Sequence, residues 1–255
     1  MKNKYLRFGL LMGSIVSVIA VVGFLVQPPK PATKAAGKGF ALVELFTSEG
    51  CSSCPAADAL VEKLSGQYPE NLYVLAFHVD YWNRLGWKDE FSSAAYSARQ
   101  QEYAASFKLE GAYTPQAVVN GKAQLVGSDA TGLRRIIDNE INSTTNPATS
   151  LSATATTGQT VQVSYKVEAP ANTLVNIALI QTAAETNVKR GENQGRILHH
   201  INIVRDFKSV DNAAHTGEVS MQLPEGLAAK ECKVLLCLQY KDTRKIAGVA
   251  TALIK

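Results

Sequence analysis

The chain has 255 residues, 46% of them hydrophobic and 19% charged, enough to bury a substantial core in one large domain or two ordinary ones. Its formal charge is +4, but Lys2, Lys4 and Arg7 supply three of those charges at the extreme N-terminus and leave an excess of only +1 over the rest. No basic cluster of the kind that phosphate binding needs follows residue 30, so no nucleic-acid partner is implied.

Phe8 to Val26 form an uncharged apolar run behind the three basic residues, the pattern of a signal peptide or an N-terminal membrane anchor over residues 1–26. The length of the run and the lack of a clean small-x-small site before Gln27-Pro28-Pro29 favour an anchor, while Ala32, Ala35 and Ala36 still permit cleavage. Either reading sends the body of the protein out of the cytoplasm, to the periplasm or beyond, where disulfides are tolerated. Residues 27–39 are rich in Pro, Ala, Gly and Lys and read as a tether, so membrane contact is expected only through the N-terminal segment.

The folded part is expected to begin near Phe40. Ala41 to Phe46 is a nearly continuous apolar run, the pattern of a strand covered on both faces. Cys51-Ser52-Ser53-Cys54-Pro55 follows, and Pro55 suits a first helical position, with Ala57, Leu60, Val61 and Leu64 at helical spacing until Gly66. Leu72 to Val79 reads as a second buried strand, giving a strand-helix-strand unit. Residues 80–88 form an aromatic loop, and 89–108 read as a helix with Phe91, Ala94, Ala95, Ala98 and Ala105 on one face. Two short strands, 117–119 and 123–126, flank Asn120-Gly121, a tight hairpin turn, before a closing helix marked by Leu133, Ile136, Ile137 and Ile141. Composition changes at 143–149, and beyond it the period becomes two: Val161, Val163, Tyr165 and Val167; Val175, Ile177 and Leu179; Val219, Met221 and Leu223; then apolar runs at 232–240 and 246–254. Residues 40–143 are therefore expected to form an α/β domain, and 150–255 an all-β, sandwich-like domain.

Cys-x-x-Cys at a strand-to-helix junction has a physical rationale: unpaired backbone N–H groups and the helix dipole stabilise a thiolate on the first cysteine. Cys51 is thus the candidate nucleophile, and Cys54, within the first turn, the resolving thiol. The rival readings are a static disulfide and half of a zinc site. Zinc would need two more ligands, and Cys232 and Cys237 would lie on opposite faces of one strand, about 16 Å apart at about 3.3 Å per residue. Buried, inert thiols are their expected state. Glu44 is a carboxylate in the middle of a buried strand, which must be paired, protonated or functional. His78 and Asp80 share a strand face near where α/β folds place their sites; a metal or acid-base role is one reading, and a hydrogen-bonded structural pair is the favoured one. Tyr81, Trp82, Trp87 and Phe91 could rim a partner site or anchor their loop. His199, His200 and His215 are given no role.

The cysteine motif in its βαβ unit, Thr114-Pro115 directly before a strand and the hairpin followed by a last helix together resemble the thioredoxin superfamily. More closely, the strings VELFTSEGCSSCP, FHVDYWNRLGWKD, ARQQEYA, YTPQAVVNG and RGENQGR are similar to a family of secreted thioredoxin-like proteins of unassigned function, over residues 40–254. The resemblance implies a thioredoxin-like domain with a helical insertion, a cis bond before Pro115, Thr114 offering its backbone to a bound peptide, and Glu44 moving a proton to the resolving cysteine. The match for Glu44 requires one extra residue before Cys51, and Ser52-Ser53 replaces the Gly-Pro of thioredoxin. RGENQGR, polar and Gly-rich, reads by its composition as a surface hairpin loop, whereas its match to the family string suggests contact with the redox domain.

The function expected is thiol-disulfide exchange outside the cytoplasm, without an organic cofactor, on protein or small-molecule thiols and disulfides, with a membrane redox partner as a further candidate. One alternative is copper(I) capture by Cys51 and Cys54 with His78 as a distant third ligand. Another is a non-catalytic interaction module in which the two cysteines form a permanent disulfide.

Overall fold

The structure is a computed structural model that describes residues 39–147, 149–156, 159–168, 170, 172–211 and 214–255; the apolar run 8–26 and nearly all of the tether lie outside the described residues. Among the described residues no helix is long and apolar enough to cross a membrane.

The first strand, β1 (Ala41–Thr47), is buried along its whole length. Ala41, Val43 and Leu45 pack with α1 (Cys54–Gln67) and α3 (Ala130–Ser143), whereas Phe40, Leu42 and Phe46 join a second core on the opposite face. With both faces covered there is no solvent side, and the sequence shows a continuous apolar run rather than alternation. β2 (Leu72–His78) pairs with β1 in parallel, so α1 is the crossover between them. β3 (Gln116–Val119) pairs antiparallel with β1 and turns into β4 (Ala123–Val126) through Asn120 and Gly121, whose φ values are 48° and 61°. Only glycine fits the second position: a Cβ on Gly121 would stand 2.0 Å from the Arg244 carbonyl oxygen. The Asn120 side chain accepts from the Leu42 N–H at 2.6 Å and donates to the Phe40 carbonyl and the Glu140 carboxylate, which locks the hairpin onto β1.

The helix expected over 89–108 is shorter, α2 (Ala94–Ser106), with Ser93 as its N-cap accepting from the Ala95 N–H. Asp89 instead organises the turn before it, accepting from the Phe91 N–H. The buried face also differs from the expected alanine stripe. Ala94, Ala95, Ala98 and Ala105 are exposed, and Tyr96, Arg99, Gln100, Tyr103 and Ala104 face inward. The apolar-periodicity rule failed here because this helix covers a buried carboxylate, and its inner face carries the groups that satisfy it.

In the second half β5 (Thr149–Thr156), β6 (Thr160–Val167) and β9 (Thr216–Gln222) form a three-stranded sheet. Its inner residues Val161, Val163 and Tyr165 pack on Val175, Ile177, Leu179, Val234 and Leu236. That opposing layer is built from β7 (Thr173–Asn187), β10 (Cys232–Tyr240) and β11 (Ile246–Leu253). It does not stop at the junction expected near 143–150. β8 (Ile197–Asp211) pairs antiparallel with β7 and meets β2 in parallel at Ala76 and Ile203, which makes one eight-stranded sheet of order β11-β10-β7-β8-β2-β1-β3-β4. The result is a mixed α/β fold, strand-rich, with three α-helices among the described residues. No strand is expected from the sequence over 197–211, because His199, His200, Asn202, Arg205 and Asp206 break the alternation and the register with β7 shifts between Leu179 and Ile180.

Cys232 faces the sandwich core and Cys237 the core on the other side of the sheet, as their odd separation requires. Burial pushes the Cys232 thiol up to about 11 and the Cys237 thiol to about 12, so both stay protonated and unreactive near neutral pH.

Candidate functional site

Cys51 and Cys54 are joined by a disulfide at the start of α1, with Pro55 in the first turn. Both cysteines are buried, Cys51 at 1% exposure and Cys54 at 0%, while Ser52 and Ser53 between them face solvent. The cover comes from the far half of the chain. Residues 188–196, between β7 and β8, close on themselves through hydrogen bonds from the Val188 N–H to the Arg196 carbonyl and from the Gly195 N–H back to Val188, with Gly191 and Gly195 at φ 78° and 81°. From this strap the Glu192 carboxylate accepts the Ser52 N–H at 3.0 Å, and the buried Asn193 amide donates to the carbonyls of Glu49 at 2.8 Å and Cys51 at 2.9 Å. Arg196 holds the Asn193 amide oxygen at 2.8 Å. The RGENQGR string thus touches the cysteine loop directly.

The Thr114–Pro115 bond is cis, the geometry the resemblance implied. Pro115 is buried on the α1 side of the sheet: a Cβ on Gly127 would meet Ala57 Cβ at 3.1 Å and Pro115 Cβ at 3.3 Å. Trp82 spans from the cysteine loop to this proline. Its indole N–H donates to Thr114 Oγ1 at 2.8 Å, and its Cβ lies so close to Gly50 that a Cβ there would approach it to 2.9 Å. The other aromatics serve as anchors. Trp87 donates to Glu49 Oε2 at 2.6 Å, Tyr81 to Gln100 Oε1 at 3.2 Å, and Phe91 is buried against His78 and His200.

Glu44 lies elsewhere. It sits on the face of β1 opposite α1, where Arg99 donates to it in a fork at 2.6 and 3.0 Å and Tyr103 adds a hydrogen bond at 2.6 Å. Gln239 and Asn176 extend this network across β10 and β7. The expected proton role for Glu44 therefore gives way to a structural one, since a strand sends neighbouring side chains to opposite faces and the even-numbered face of β1 is not the one beneath the cysteines.

What lies near the cysteines is a buried polar cluster that the sequence reading did not assemble: Glu49, Asp58, His78, Asp89 and His200, none more than 7% exposed. His78 Nδ1 pairs with Asp89 Oδ2 at 2.7 Å, not with Asp80, which instead accepts from Ser97 at 2.5 Å because β2 ends at His78 and the chain turns away. Asp89 also accepts the Glu49 N–H at 2.9 Å. Asp58 accepts from Thr47 Oγ1 at 3.2 Å. The His200 ring stands between two carboxylates, with Nε2 3.4 Å from Glu49 Oε1 and Nδ1 3.9 Å from Asp58 Oδ2, and 4.9 Å from the His78 ring. Glu49 Oε1, His78 Nε2 and both His200 nitrogens make no hydrogen bond. Such groups cost about 1–3 kcal/mol each, and interiors ordinarily contain few of them. One signal was legible: Asp58 occupies a buried position of α1 alongside Cys54, Ala57, Val61 and Leu64, where an apolar residue is expected. His200 was hidden in the unrecognised strand β8. Among the described residues no group of three or more His, Cys, Asp or Glu is arranged to hold a metal ion.

Burial raises the Asp58 pKa against the opposing pull of His200, His78 and Thr47. For His78 burial acts downward, but the Asp89 carboxylate outweighs it and the pKa is raised; burial acts upward on Asp89, and His78 more than reverses it. A histidine whose folded pKa is raised stabilises fully below its ordinary value of 6.5 and loses that contribution as pH climbs through the folded value. Asp58 acts with the same sign from 3.8 upward, while the Asp89 contribution, present above 3.8, is lost only on acidification below it. Stability is therefore expected to fall as pH rises above 6.5 toward the raised His78 value, with a slope up to about 1.4 kcal/mol per pH unit for one proton. Urea unfolding at a series of pH values checks this, and His78→Asn should flatten the slope in that window.

A family model described as a protein of unknown function, DUF1223, matches residues 42–239. Among solved structures the chain is similar to protein AGR_C_4864 from Agrobacterium tumefaciens, with 26% identity, a TM-score of 0.62 and coverage of 86% of this chain and 96% of that one. A domain of the outer membrane lipoprotein Omp28 from Porphyromonas gingivalis matches 42% of this chain and 94% of its own at 13% identity and TM-score 0.25. A DUF3823 family protein from Bacteroides ovatus matches 44% and 58% at 13% and 0.27. Likenesses as remote as these last two carry no argument. No curated protein matches the chain.

Proposed function

The chain belongs to the DUF1223 family, and we propose that it is a thioredoxin-like thiol-disulfide oxidoreductase acting outside the cytoplasm on protein or small-molecule thiols. The observation that carries this reading is the Cys51–Cys54 disulfide at the N-terminus of α1, on the sheet side that also holds cis-Pro115. Cys51 takes the nucleophilic role because it precedes the helix, whose N-terminal dipole favours its thiolate, and Cys54 the resolving role. Thr114 takes the role of receiving a partner's backbone, a reading supported by its half-buried position before the cis bond and by the hydrogen bond from Trp82 to its hydroxyl. The βαβ unit, the β3–β4 hairpin and α3 supply the rest of the thioredoxin-like pattern, with α2 and its preceding loop as the insertion. The apolar N-terminal run and a disulfide in a reactive motif support the extracytoplasmic location.

Burial of both cysteines favours a second reading, a permanent disulfide in a binding module. The copper(I) reading draws no comparable support, because His78 turns to Asp89 and His200.

A Cys54→Ser variant of the exported chain separates the first two readings. Oxidoreductase chemistry predicts mixed disulfides trapped through Cys51 and resolved on non-reducing gels, with Cys51→Ser abolishing capture. With Cys232 and Cys237 buried, no adduct should form through them in the folded protein. If Cys51 neither exchanges with a protein disulfide nor reacts with iodoacetamide in the folded variant, the redox reading is lost and the binding module stands.

A further inference from the structure

We propose that the partner reacting at Cys51 is an acidic polypeptide: Arg84, Lys88, Lys189 and Arg190 form a basic rim beside the cysteine loop and receive Asp and Glu side chains that flank the partner's cysteine. The proposal rests on the redox reading above and names the substrate class of that site.

Two segments far apart in sequence bring these cations together. Arg84 lies in the 3-10 turn Asn83–Leu85, directly after Trp82, whose Cβ packs on Gly50. Lys88 follows Trp87, whose indole N–H donates to Glu49 Oε2 at 2.6 Å. Lys189 and Arg190 open the strap between the buried Val188 and Gly191, and a Cβ on Gly191 would meet Trp87 Cβ at 3.4 Å, so the strap and the aromatic loop meet beside the cysteines. All four side chains are exposed. Among the described residues none of the four forms a salt bridge, whereas Arg99, Lys122, Lys241 and Arg244 each hold a carboxylate.

This positive charge is local. Lys2, Lys4, Arg7, Lys30, Lys34 and Lys38 precede residue 39 and all 22 Asp and Glu follow it, which leaves 20 cations against 22 carboxylates in the folded part. Opening the site makes the rim more positive still. Cys51 is 1% exposed and is reached with the strap displaced, which takes the Glu192 carboxylate off the Ser52 N–H. Lys88 stays, fixed between Trp87 and the buried Asp89, both bound to Glu49, and Lys189 stays beside Val188 at the base of the strap. Glu192 thus marks a place that a carboxylate takes beside Cys51, and a partner's acid replaces it. Cations spread over two loops, with the 45% exposed Leu85 and the half-buried Trp87 between Arg84 and the strap, fit an extended acidic segment better than a single small anion. Exposed ion pairs add little affinity, so the rim acts mainly on the rate of capture.

The test uses the reduced full chain carrying Cys54→Ser and two synthetic peptides of equal length, each with one cysteine joined to thionitrobenzoate as a mixed disulfide. Asp and Glu flank the cysteine in one peptide, Lys and Arg in the other. The Cys51 thiolate attacks the peptide sulfur, the bond to thionitrobenzoate breaks, and its electron pair leaves on thionitrobenzoate, whose absorbance gives the rate. Cys51 is oxidised to a mixed disulfide with the peptide, and thionitrobenzoate is reduced. The acidic peptide should be captured about tenfold or more faster at about 0.01 M salt, and the ratio should fall toward one at about 1 M, as the screening length shrinks from about 30 Å to about 3 Å. Comparing that ratio between protein variants cancels each peptide's own reactivity. At about 0.1 M salt, where screening acts within about 10 Å, Lys88→Glu with Lys189→Glu should bring the ratio to one or below. Lys166→Glu with Lys255→Glu, exposed on and beside the three-stranded sheet, changes the net charge equally and should leave it at the original value. A ratio near one at every salt concentration, or one that both pairs of substitutions change alike, overturns the acidic-partner proposal and leaves the redox reading standing, because Cys51 has exchanged. A Cys51 that captures neither peptide overturns both.

Discussion

Replacing Arg99 by Leu is expected to remove about 3–5 kcal/mol of folding stability, read as a lowered urea midpoint, because it leaves the Glu44 carboxylate buried without its cation. Glu44 is 1% exposed, takes both Arg99 hydrogen bonds and depends on Tyr103 for a third. Tyr103 alone cannot compensate, since burial and the adjacent carboxylate already hold its pKa well above 10 and it can only donate its one proton. The guanidinium also lies 4.7 Å from the Phe207 ring centre and 5.3 Å from that of Tyr103, contacts that Leu replaces only in part. Set against the 5–15 kcal/mol typical of a folded domain, the loss is a large fraction of the total. The double variant Glu44→Leu with Arg99→Leu should recover most of it, because an apolar pair of similar volume removes the stranded charge. Glu44→Gln should leave dithiothreitol reduction of Cys51–Cys54 unchanged. A slower reaction there would return Glu44 to the redox site despite its place on the opposite face.

The contrast between Glu44 and Asp58 shows how far the sequence can be read. Strand β1, helix α1, strand β2 and the Asn120-Gly121 hairpin were legible because each depends on neighbours in sequence: an apolar run, a helix-starting proline, a turn needing positive φ at two successive residues. The anomaly of Glu44 was legible too, but not its meaning. Which face of β1 lies beneath α1 is decided by packing, and both faces of a covered strand are apolar, so the pattern holds no mark that tells one from the other. Asp58 broke the apolar stripe of its helix, but a single charged residue in a helix is commonly solvated, and its burial depends on β8. That strand was hidden by the polar residues it brings to the site, His200 among them, and by the change in register against β7. The same strand carries the sheet across the change in composition near 143–150, so a difference in residue usage did not mark an end of the sheet. RGENQGR read as a polar surface loop for a similar reason. Its hydrogen-bonding groups are spent on backbone well over a hundred residues away.

That strap leads to the second large effect. Asn193→Ala is expected to speed dithiothreitol reduction of the Cys51–Cys54 disulfide about tenfold or more. Attack on Cys51 Sγ requires the sulfur of a residue that is only 1% exposed to become reachable along the S–S axis, so the reaction proceeds through whatever fraction of molecules has the strap lifted. The Asn193 amide is what holds the strap down, donating to the carbonyls of Glu49 and Cys51, while Arg196 fixes the amide from behind. Alanine leaves the buried Glu49 carbonyl without a donor, at about 1–3 kcal/mol when closed, and the Cys51 carbonyl with only the Cys54 N–H, and the lifted state regains both as hydrated groups. Each 1.4 kcal/mol moved toward the lifted state raises its population tenfold, which sets the lower bound on the rate change. Glu192 contributes differently. Its carboxylate occupies the Ser52 N–H at the start of α1, where a Cys51 thiolate would seek the same donors, and hydrogen bonds from Ser52 hold its pKa down, so it stays ionised there. Glu192→Gln should therefore lower the pKa of reduced Cys51, measured by the pH dependence of iodoacetamide alkylation in a Cys54→Ser background, with little effect on the opening of the strap. An Asn193→Ala protein that is folded and reduced at the wild-type rate would mean that Cys51 is reached by a route the strap does not cover.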